Sequence, residues 1–409
     1  MSTLSVLAKL LCRPGLAGGM DSVQKYEHAF TRTIVGDEDL HALGFWRGRI
    51  ALWTILRALD LTAGDEVVLP AYTCEMVPIA IKFAGAKCVY VDVEPREFNA
   101  SVRSIADALT NRTRVILCQH TYGIAQAAQK LLSLATARQT TLVEDCCQMI
   151  SVNSHYSGVA AAGAAAFFST QWNKPFSTGL GGMAVFKDPQ LYASARNIRT
   201  TFFHGNDNRQ AWLLTLQILL HHFLARPRTQ ATIAAVYRQA QRLGWIRGTN
   251  TIEEYGHVMP HGYLAGATNV QAMVGLEQLR RWPENVRHRR TLTRFYLEHL
   301  PALGVDVAPI KAGSEEPILW AVPLLVENKH EILTLAAKQG LPVATWFDRI
   351  PAHINPATAD RYDYRPGQCP RSEQMFPREI HLLTAPWVTP HLAERTLQFL
   401  KRFAHFSSC

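Results

Sequence analysis

The sequence predicts an α/β chain with a mainly parallel sheet covered by helices, followed by a smaller C-terminal α+β part. Three observations carry this. From Gly48 to about Cys147, helical segments alternate with short apolar runs bounded by turn residues, the pattern of a parallel sheet wrapped in helices. The chain has 409 residues, 48% hydrophobic and 18% charged, enough for a large core or two packed domains and too apolar for disorder. It shows no internal repeat or low-complexity tract, which removes solenoids and propellers.

The elements follow in order. A helix opens at Gly48 and runs through RIALWTILRALDL, its apolar residues recurring at three and four, and stops before Ala63-Gly64-Asp65. EVVLP reads as a buried strand. A helix over Cys74 to Phe83, a strand CVYVDV, a helix near Val102 to Leu109 and a strand at Val115 to Cys118 come next. A helix near Ala127 to Ala137 and the strand TLVED complete the alternation. GAAAFFST and MAVF then read as a hairpin joined by the wide glycine-rich loop QWNKPFSTGLGG.

Residues 206–250 break the rhythm with the apolar segment WLLTLQILLHHFL and the arginines Arg226, Arg228, Arg238, Arg242 and Arg247. Thr268 is placed to cap the helix TNVQAMVGLEQLRRW, and a second helix through Arg287 to Leu300 has Pro283 near its start. The strand LWAVPLLV, a helix over Glu331 to Gln339, the strand PVATWF and a final helix near Leu392 to Ala404 form the smaller part. The boundaries read as an N-terminal arm over 1–40, a large domain over 41–250 and a small domain over 251–409.

Charge and cysteines narrow the setting. Lysine plus arginine (42) exceeds aspartate plus glutamate (33) by 9, which suits an anionic small molecule, a nucleic acid or an acidic membrane surface. No two of the eight cysteines make a C-x-x-C spacing, so a reduced, cytoplasmic protein without a zinc site is expected. The N-terminal apolar run is broken by Lys9 and followed by Arg13-Pro14, which reads as a docking arm rather than a signal peptide. No run approaches the length of a membrane span.

Three features suit one cofactor. Asp145 ends a buried strand, where parallel α/β sheets bind ligands. Lys174 lies in the loop after a strand ending at Ser169, and Gly48 opens a helix whose first amides can hold a phosphate. Pyridoxal phosphate needs a lysine amine for a Schiff base, a carboxylate that keeps its ring nitrogen protonated, and donors for its phosphate.

In their order and spacing these segments resemble the DegT/DnrJ/StrS family of pyridoxal-phosphate-dependent sugar aminotransferases. The similarity lies in RGRIALWTILRALDLTAGDEVVLPAYT, GAKCVYVDV, QHTYG, VEDCCQ, STQWNK, STGLGGMAVF, FFHG and TNVQAMVGLEQL, from roughly Gln24 to the C-terminus apart from the insertion. It implies the aspartate-aminotransferase fold (fold type I), an obligate homodimer, pyridoxal 5'-phosphate as cofactor and an amino group moved from an amino acid, glutamate by resemblance, to a keto group on a nucleotide-linked sugar.

By the same resemblance Lys174 is the Schiff-base lysine and proton shuttle. Asp145 partners the ring nitrogen and Gln148 the phenolic oxygen. Ser169 and the amides of Gly48 and Arg49 hold the phosphate. Related dehydratases carry histidine at the lysine position, so Lys174 favours transamination.

Arg47 and Arg49 replace the usual small hydroxylated residue beside the helix start, so a guanidinium either reaches the phosphate directly or, at Arg49, faces solvent. Leu264 and Gly266 stand where relatives have a phosphate-contacting asparagine and arginine, so the usual cross-subunit clamp is in doubt. Tyr72 is the aromatic candidate for stacking on the ring, with Cys74 as the alternative if Tyr72 points away. His120 either faces the cofactor or is a satisfied histidine at a strand end.

The apolar helix of the insertion has two readings. It is core or dimer contact, or it is a lid or membrane-surface element with Trp212, Leu213, Leu216, Leu220 and Phe223 on one face; membrane contact through 210–250 is not favoured. Trp172, Phe176, Trp346 and Phe347 near the expected pocket would suit a substrate with an apolar portion. The alternatives retained are an aminotransferase acting on a non-sugar or carrier-linked ketone and a non-catalytic binding or regulatory protein of this fold. Nucleic-acid binding through the arginines lacks a recognisable module.

Overall fold

The computed structural model describes residues 20–150, 160, 162–203, 208–224, 239, 254, 258–260, 262–311, 316–346 and 356–407. Residues 1–19 of the expected arm, Cys409, Phe347, and the arginines Arg226, Arg228, Arg238, Arg242 and Arg247 lie outside them.

The expected alternation is present. Helix α1 (Met20–Phe30) leads to strand β1 (His41–Phe45). After it come α2 (Gly48–Ala58), β2 (Glu66–Pro70), α3 (Met76–Phe83), β3 (Lys87–Val91), α4 (Val102–Ala108), β4 (Thr113–Gln119), α5 (Ala128–Ala137) and β5 (Thr141–Asp145). The hairpin of β6 (Ala165–Ser169) and β7 (Gly182–Phe186) follows, then α6 (Pro189–Phe202) and α7 (Asn208–Leu224).

The seven strands lie in the order β1-β7-β6-β5-β4-β2-β3. Strands β2 to β6 run parallel, and β7 pairs antiparallel with both β6 and β1. Glu66–Pro70 is buried at every position, as a strand with helices on both faces must be.

The C-terminal part contains α8 (Asn269–Arg280), α9 (Trp282–His299), β8 (Ala321–Leu325), α10 (Lys329–Gln339), β9 (Val343–Ala344), α11 (Pro370–Met375), β10 (Glu379–Leu383) and α12 (Pro390–Phe403). Its small antiparallel sheet has the order β8-β10-β9. The strand read as PVATWF is paired only over Val343–Ala344, because Glu379 draws the next residues out of the ladder. Its Oε2 accepts from Thr345 Oγ1 and Trp346 N, each at 3.0 Å.

Among the elements not foreseen are β1, β10 and α6, besides α1 and α11. Strand β1 closes the large sheet on the β7 edge, β10 supplies the middle of the small sheet, and α6 is capped by Asp188, whose Oδ1 accepts from Gln190 N at 2.8 Å.

Helix α1 is built into the large part. Tyr26 and Phe30 are buried, Phe30 packing edge-on against Phe168 at 5.0 Å and Tyr26 stacking on Phe176 at 6.2 Å. Glu27 Oε1 accepts from Gly44 N at 2.7 Å, and Arg199 donates to the same carboxylate, binding α1 to the edge strand and to α6.

Helix α8 begins with the cap expected at Thr268, and Gln271 extends it to a capping box. Although it lies beyond the boundary read at 250, it packs on α1 and α7.

Helix α7 buries Ala211, Leu214, Thr215 and Ile218 and turns Trp212, Leu216 and Leu220 outward at 40%, 52% and 48% exposure. Its bare face thus carries three of the five residues assigned to one face, while Leu213 is half-buried. The side chain of Phe223 is outside the described residues. Among the described residues no helix is long and apolar enough to cross a membrane.

Candidate active site

The carboxyl ends of β4, β5 and β6 converge with the N-terminus of α2 on a cavity of about 220 Å³. Gly48, Arg49, His120, Asp145, Gln148, Ser169 and Lys174 all line it. So do Arg47, Cys74, Cys147 and Trp346.

Gly48 is required by close packing. A Cβ there would stand 2.9 Å from Ser169 Cβ, and a Cβ on Gly182 would stand 2.4 Å from Gly48 Cα. Glycines at both positions let the first turn of α2 rest directly on the β6–β7 hairpin, which places Ser169 beside the start of the helix.

The loop between β6 and β7 is closed by Thr170 N to Gly181 O at 3.0 Å and by the paired hydroxyls of Thr170 and Thr178 at 2.7 Å. Gly181 has φ 154°, and a Cβ on it would collide with Thr170 Oγ1. Gln271 ties this loop to the segment before α2, its Nε2 donating to Leu180 O at 2.7 Å and to Trp46 O at 3.4 Å. The task of the glutamine in TNVQA is therefore to join the two segments that flank the helix start.

Asp145 is buried, and its Oδ1 accepts from Cys147 N at 2.9 Å. Burial raises its carboxyl above the ordinary aspartate range, with the Cys147 hydrogen bonds and then Lys174 and His120 pulling the other way. The Cys74 thiol is pushed up to about 11, by burial, against the opposing pull of Lys174. Lys174 Nζ lies 5.6 Å from the centre of the Trp320 ring.

Gln148 has a divided side chain. Its Oε1 accepts from Tyr122 N, while its Nε2 is buried with no hydrogen-bond partner among the described residues. A buried amide donor left open at a cavity wall is costly unless a ligand acceptor meets it. The Tyr122-Gly123 turn that Gln148 supports is left-handed at both residues, with φ 59° and 91°.

His120 lines the cavity, but both ring nitrogens are taken. Nδ1 accepts from Gln126 N at 3.0 Å, which assigns the proton to Nε2, 3.2 Å from Glu144 Oε2. Glu144 also accepts from the amides of Ala160, Ala162 and Gly163. His120 can therefore offer the cavity a ring face only.

Tyr72 is corrected: it does not line the cavity. It is fully buried, bonded through its hydroxyl to Tyr122 at 2.9 Å and packed on Phe98, Trp346 and Phe376. Cys74, two residues on, occupies the wall instead, because the chain bends after β2: Thr73 N donates to Ala71 O at 2.9 Å, so the strand alternation that would set residues 72 and 74 on one face does not continue. Of the aromatic candidates among the described residues, only Trp346 lines the cavity. Trp172 packs on α7, its ring tilted over His221 at 4.7 Å, and Phe176 is core beneath α1.

Arg49 is buried and ion-paired to Glu254, which also accepts from Tyr263. Burial works against its charge, yet Tyr263 and Glu254 outweigh this and raise its pKa above the ordinary value. Arg47 lies 5.0 Å from the Tyr263 ring centre. Glu254 and Tyr263 were not singled out from the sequence, and no local motif marks them. The segment after Tyr263 runs along β1, with Trp46 N to Ala265 O at 2.9 Å and Ala267 N to Gly44 O at 3.0 Å, so Gly266 serves as sheet-edge backbone, while Leu264 packs against the core.

The residues present fit pyridoxal phosphate. An amine, a buried carboxylate, an open amide donor and a glycine-bared helix start face one cavity. Comparison with known proteins agrees: the profile of the DegT/DnrJ/EryC1/StrS aminotransferase family matches residues 15–401. The GDP-perosamine synthase of Escherichia coli O157:H7 is 26% identical over 351 residues, 84% of this chain and 80% of that protein. An Acidithiobacillus ferrooxidans protein named as a UDP-N-acetyl-3-dehydro-alpha-D-glucosamine 3-aminotransferase is 24% identical over 366 residues, 89% of this chain and 85% of that one. Among solved structures, the aminotransferase TlmJ from Streptoalloteichus hindustanus superposes with a TM-score of 0.73 at 21% identity, covering 98% of this chain and 95% of that one. NtdA of Bacillus subtilis, solved with bound cofactor PMP, gives 0.72 at 20% identity, covering 98% and 80%.

Proposed function

The chain belongs to the DegT/DnrJ/EryC1/StrS aminotransferase family and is a pyridoxal-phosphate-dependent aminotransferase, and we propose that its amino group passes from glutamate to the keto group of a nucleotide-linked sugar. The observation that carries the reading is the convergence of Lys174, Asp145, the open Gln148 amide and the α2 N-terminus on one cavity.

Pyridoxal phosphate supplies an electron sink for the pair left when a proton leaves the amino donor's Cα. Asp145 would hold the proton on the ring nitrogen. Its carboxyl is raised while it stands alone, and a cationic partner restores the carboxylate. Gln148 Nε2 would donate to the phenolic oxygen. Ser169 Oγ and the amides of Gly48 and Arg49 would hold the phosphate. Lys174 Nζ would bind the cofactor and then carry the proton between the donor's Cα and the cofactor. His120 would support the ring from one face.

The nucleotide-sugar acceptor rests on the names of the two relatives above. The apolar wall at Trp346 supports a second reading, a ketone with an apolar portion. A homodimer is read from the family, and light scattering of the cofactor-loaded protein tests it. For the acceptor, protein charged with glutamate is washed and offered nucleotide-linked 3-keto and 4-keto sugars beside non-sugar ketones, with amine products read by mass spectrometry. An amino sugar upholds the proposal, and amination of the non-sugar ketones alone overturns it.

A further inference from the structure

The lysine loop is gripped from the C-terminal part. Trp320 Nε1 donates to Asn173 O at 2.9 Å, and Asn285 Nδ2 donates to Pro175 O at 3.2 Å. The carbonyls on either side of Lys174 are thus each tied to a side chain outside the large sheet. The Trp320 ring also meets the Lys174 ammonium at cation–π distance, 5.6 Å.

Both anchors run to Arg289, one turn after Asn285 on α9. Its Nε donates to Asn285 Oδ1 at 2.7 Å, and its Nη1 donates to Trp320 O at 3.1 Å and to Thr384 Oγ1 at 3.0 Å. The Thr384 hydroxyl in turn lies 2.7 Å from Leu319 O and 2.8 Å from Trp320 O.

Arg289 is 3% exposed, and no carboxylate among the described residues pairs with it. Burial alone brings its pKa down to about 9. A buried guanidinium among neutral acceptors is a poor stabiliser compared with an apolar side chain of the same volume. What it provides is direction, since its planar fork fixes Asn285 and Trp320 at once.

Trp320 reaches a second part of the site. Its backbone N–H donates to Tyr122 O at 2.9 Å and its ring stacks on Tyr122 at 5.9 Å, while Tyr122 N is bonded to Gln148. A lysine side chain has four rotatable bonds, so the direction of Nζ is set only if its backbone and one side of the amine are held.

We propose that Trp320 and Asn285, oriented by Arg289, are positioning residues that hold Lys174 for proton transfer. This rests on the reading of Lys174 as the cofactor-binding lysine. Trp320→Phe removes the indole N–H and weakens the ring contact, Asn285→Ala removes the other anchor, and Arg289→Lys against Arg289→Met tests rescue of the charge. Two quantities are read on cofactor-loaded protein: the pH midpoint of the visible band, and the rate and half-saturation with which glutamate discharges that band.

In Trp320→Phe the discharge rate is expected to fall about ten- to a hundredfold, with half-saturation within about threefold. The pH midpoint should fall by roughly half a unit, because the ring favours the protonated form. Asn285→Ala should lower the rate in the same way, and Arg289→Lys should recover part of what Arg289→Met loses. Wild-type rate and midpoint in both Trp320→Phe and Asn285→Ala would overturn the proposal, as would a lowered melting temperature with both readouts unmoved. If wild-type protein forms no visible band, the reading of Lys174 fails and the proposal with it; a normal wild-type band with unaltered variants sinks the proposal alone.

Discussion

The packing of Gly182 against Gly48 makes the phosphate end of the cavity testable without touching any ligand-facing side chain. In Gly182→Ala the new methyl would lie 2.4 Å from Gly48 Cα and 2.6 Å from both Arg47 O and Gly48 N, where ordinary contact begins at 3.4 Å. Strand β7 is paired on both sides, to Phe45 and to Ser169, so the start of α2 must retreat by about 1 Å. The overpacking should cost about 1–3 kcal/mol of stability. A hydrogen bond of ordinary length stretched by that much is lost, and one charged bond is worth about 1.5–3 kcal/mol, so phosphate-dependent affinity should fall about 10- to 150-fold. The assay titrates cofactor-free protein with pyridoxal phosphate and, separately, with pyridoxal, following the visible band. The phosphorylated compound should lose affinity while pyridoxal stays within about threefold. Equal weakening of both compounds, or of neither, would refute the assignment of the α2 start as the phosphate site.

Two other substitutions probe the ring end. Asp145→Asn should slow the glutamate half-reaction by about a hundredfold or more, measured by single-turnover decay of the visible band. It should also stabilise the cofactor-free protein at neutral pH. A carboxyl raised by burial contributes stability below the ordinary aspartate range and loses it as pH rises through its folded value. The melting-temperature gap between variant and wild type should therefore widen from about pH 4 to pH 7, and a gap that stays flat would contradict it. Gln148→Glu keeps the acceptor for Tyr122 N but removes the open donor, so cofactor affinity should fall about tenfold in the same titration. Unchanged affinity would mean that the buried Nε2 does not face the cofactor.

Much of this site is legible in the chain because its parts are local. Asp145 and Ser169 sit at the ends of runs whose composition marks them as buried strands, Lys174 follows Ser169 in the same motif, and Gly48 opens a helix of its own motif. The misplacement of Tyr72 comes from the bend after β2, where strand alternation stops telling which residue faces the cavity, and the hydroxyl pair with Tyr122 makes Tyr72 a core residue. Strand β1 was missed because it is a five-residue edge strand whose partner, β7, lies more than a hundred residues away. The hold on the lysine loop by Trp320, Asn285 and Arg289 crosses 110 to 147 positions, and no spacing within any one element announces it. Glu254 beside Arg49 is equally remote, so the sequence shows the arginine and not its counter-ion.

The central claim is that Lys174 carries the cofactor. Protein loaded with pyridoxal phosphate is reduced with borohydride and digested, and the peptide bearing the added cofactor mass is sequenced by mass spectrometry. The account predicts the label on Lys174 and its loss in Lys174→Ala. A label on any other lysine, or none on loaded wild-type protein, would contradict it.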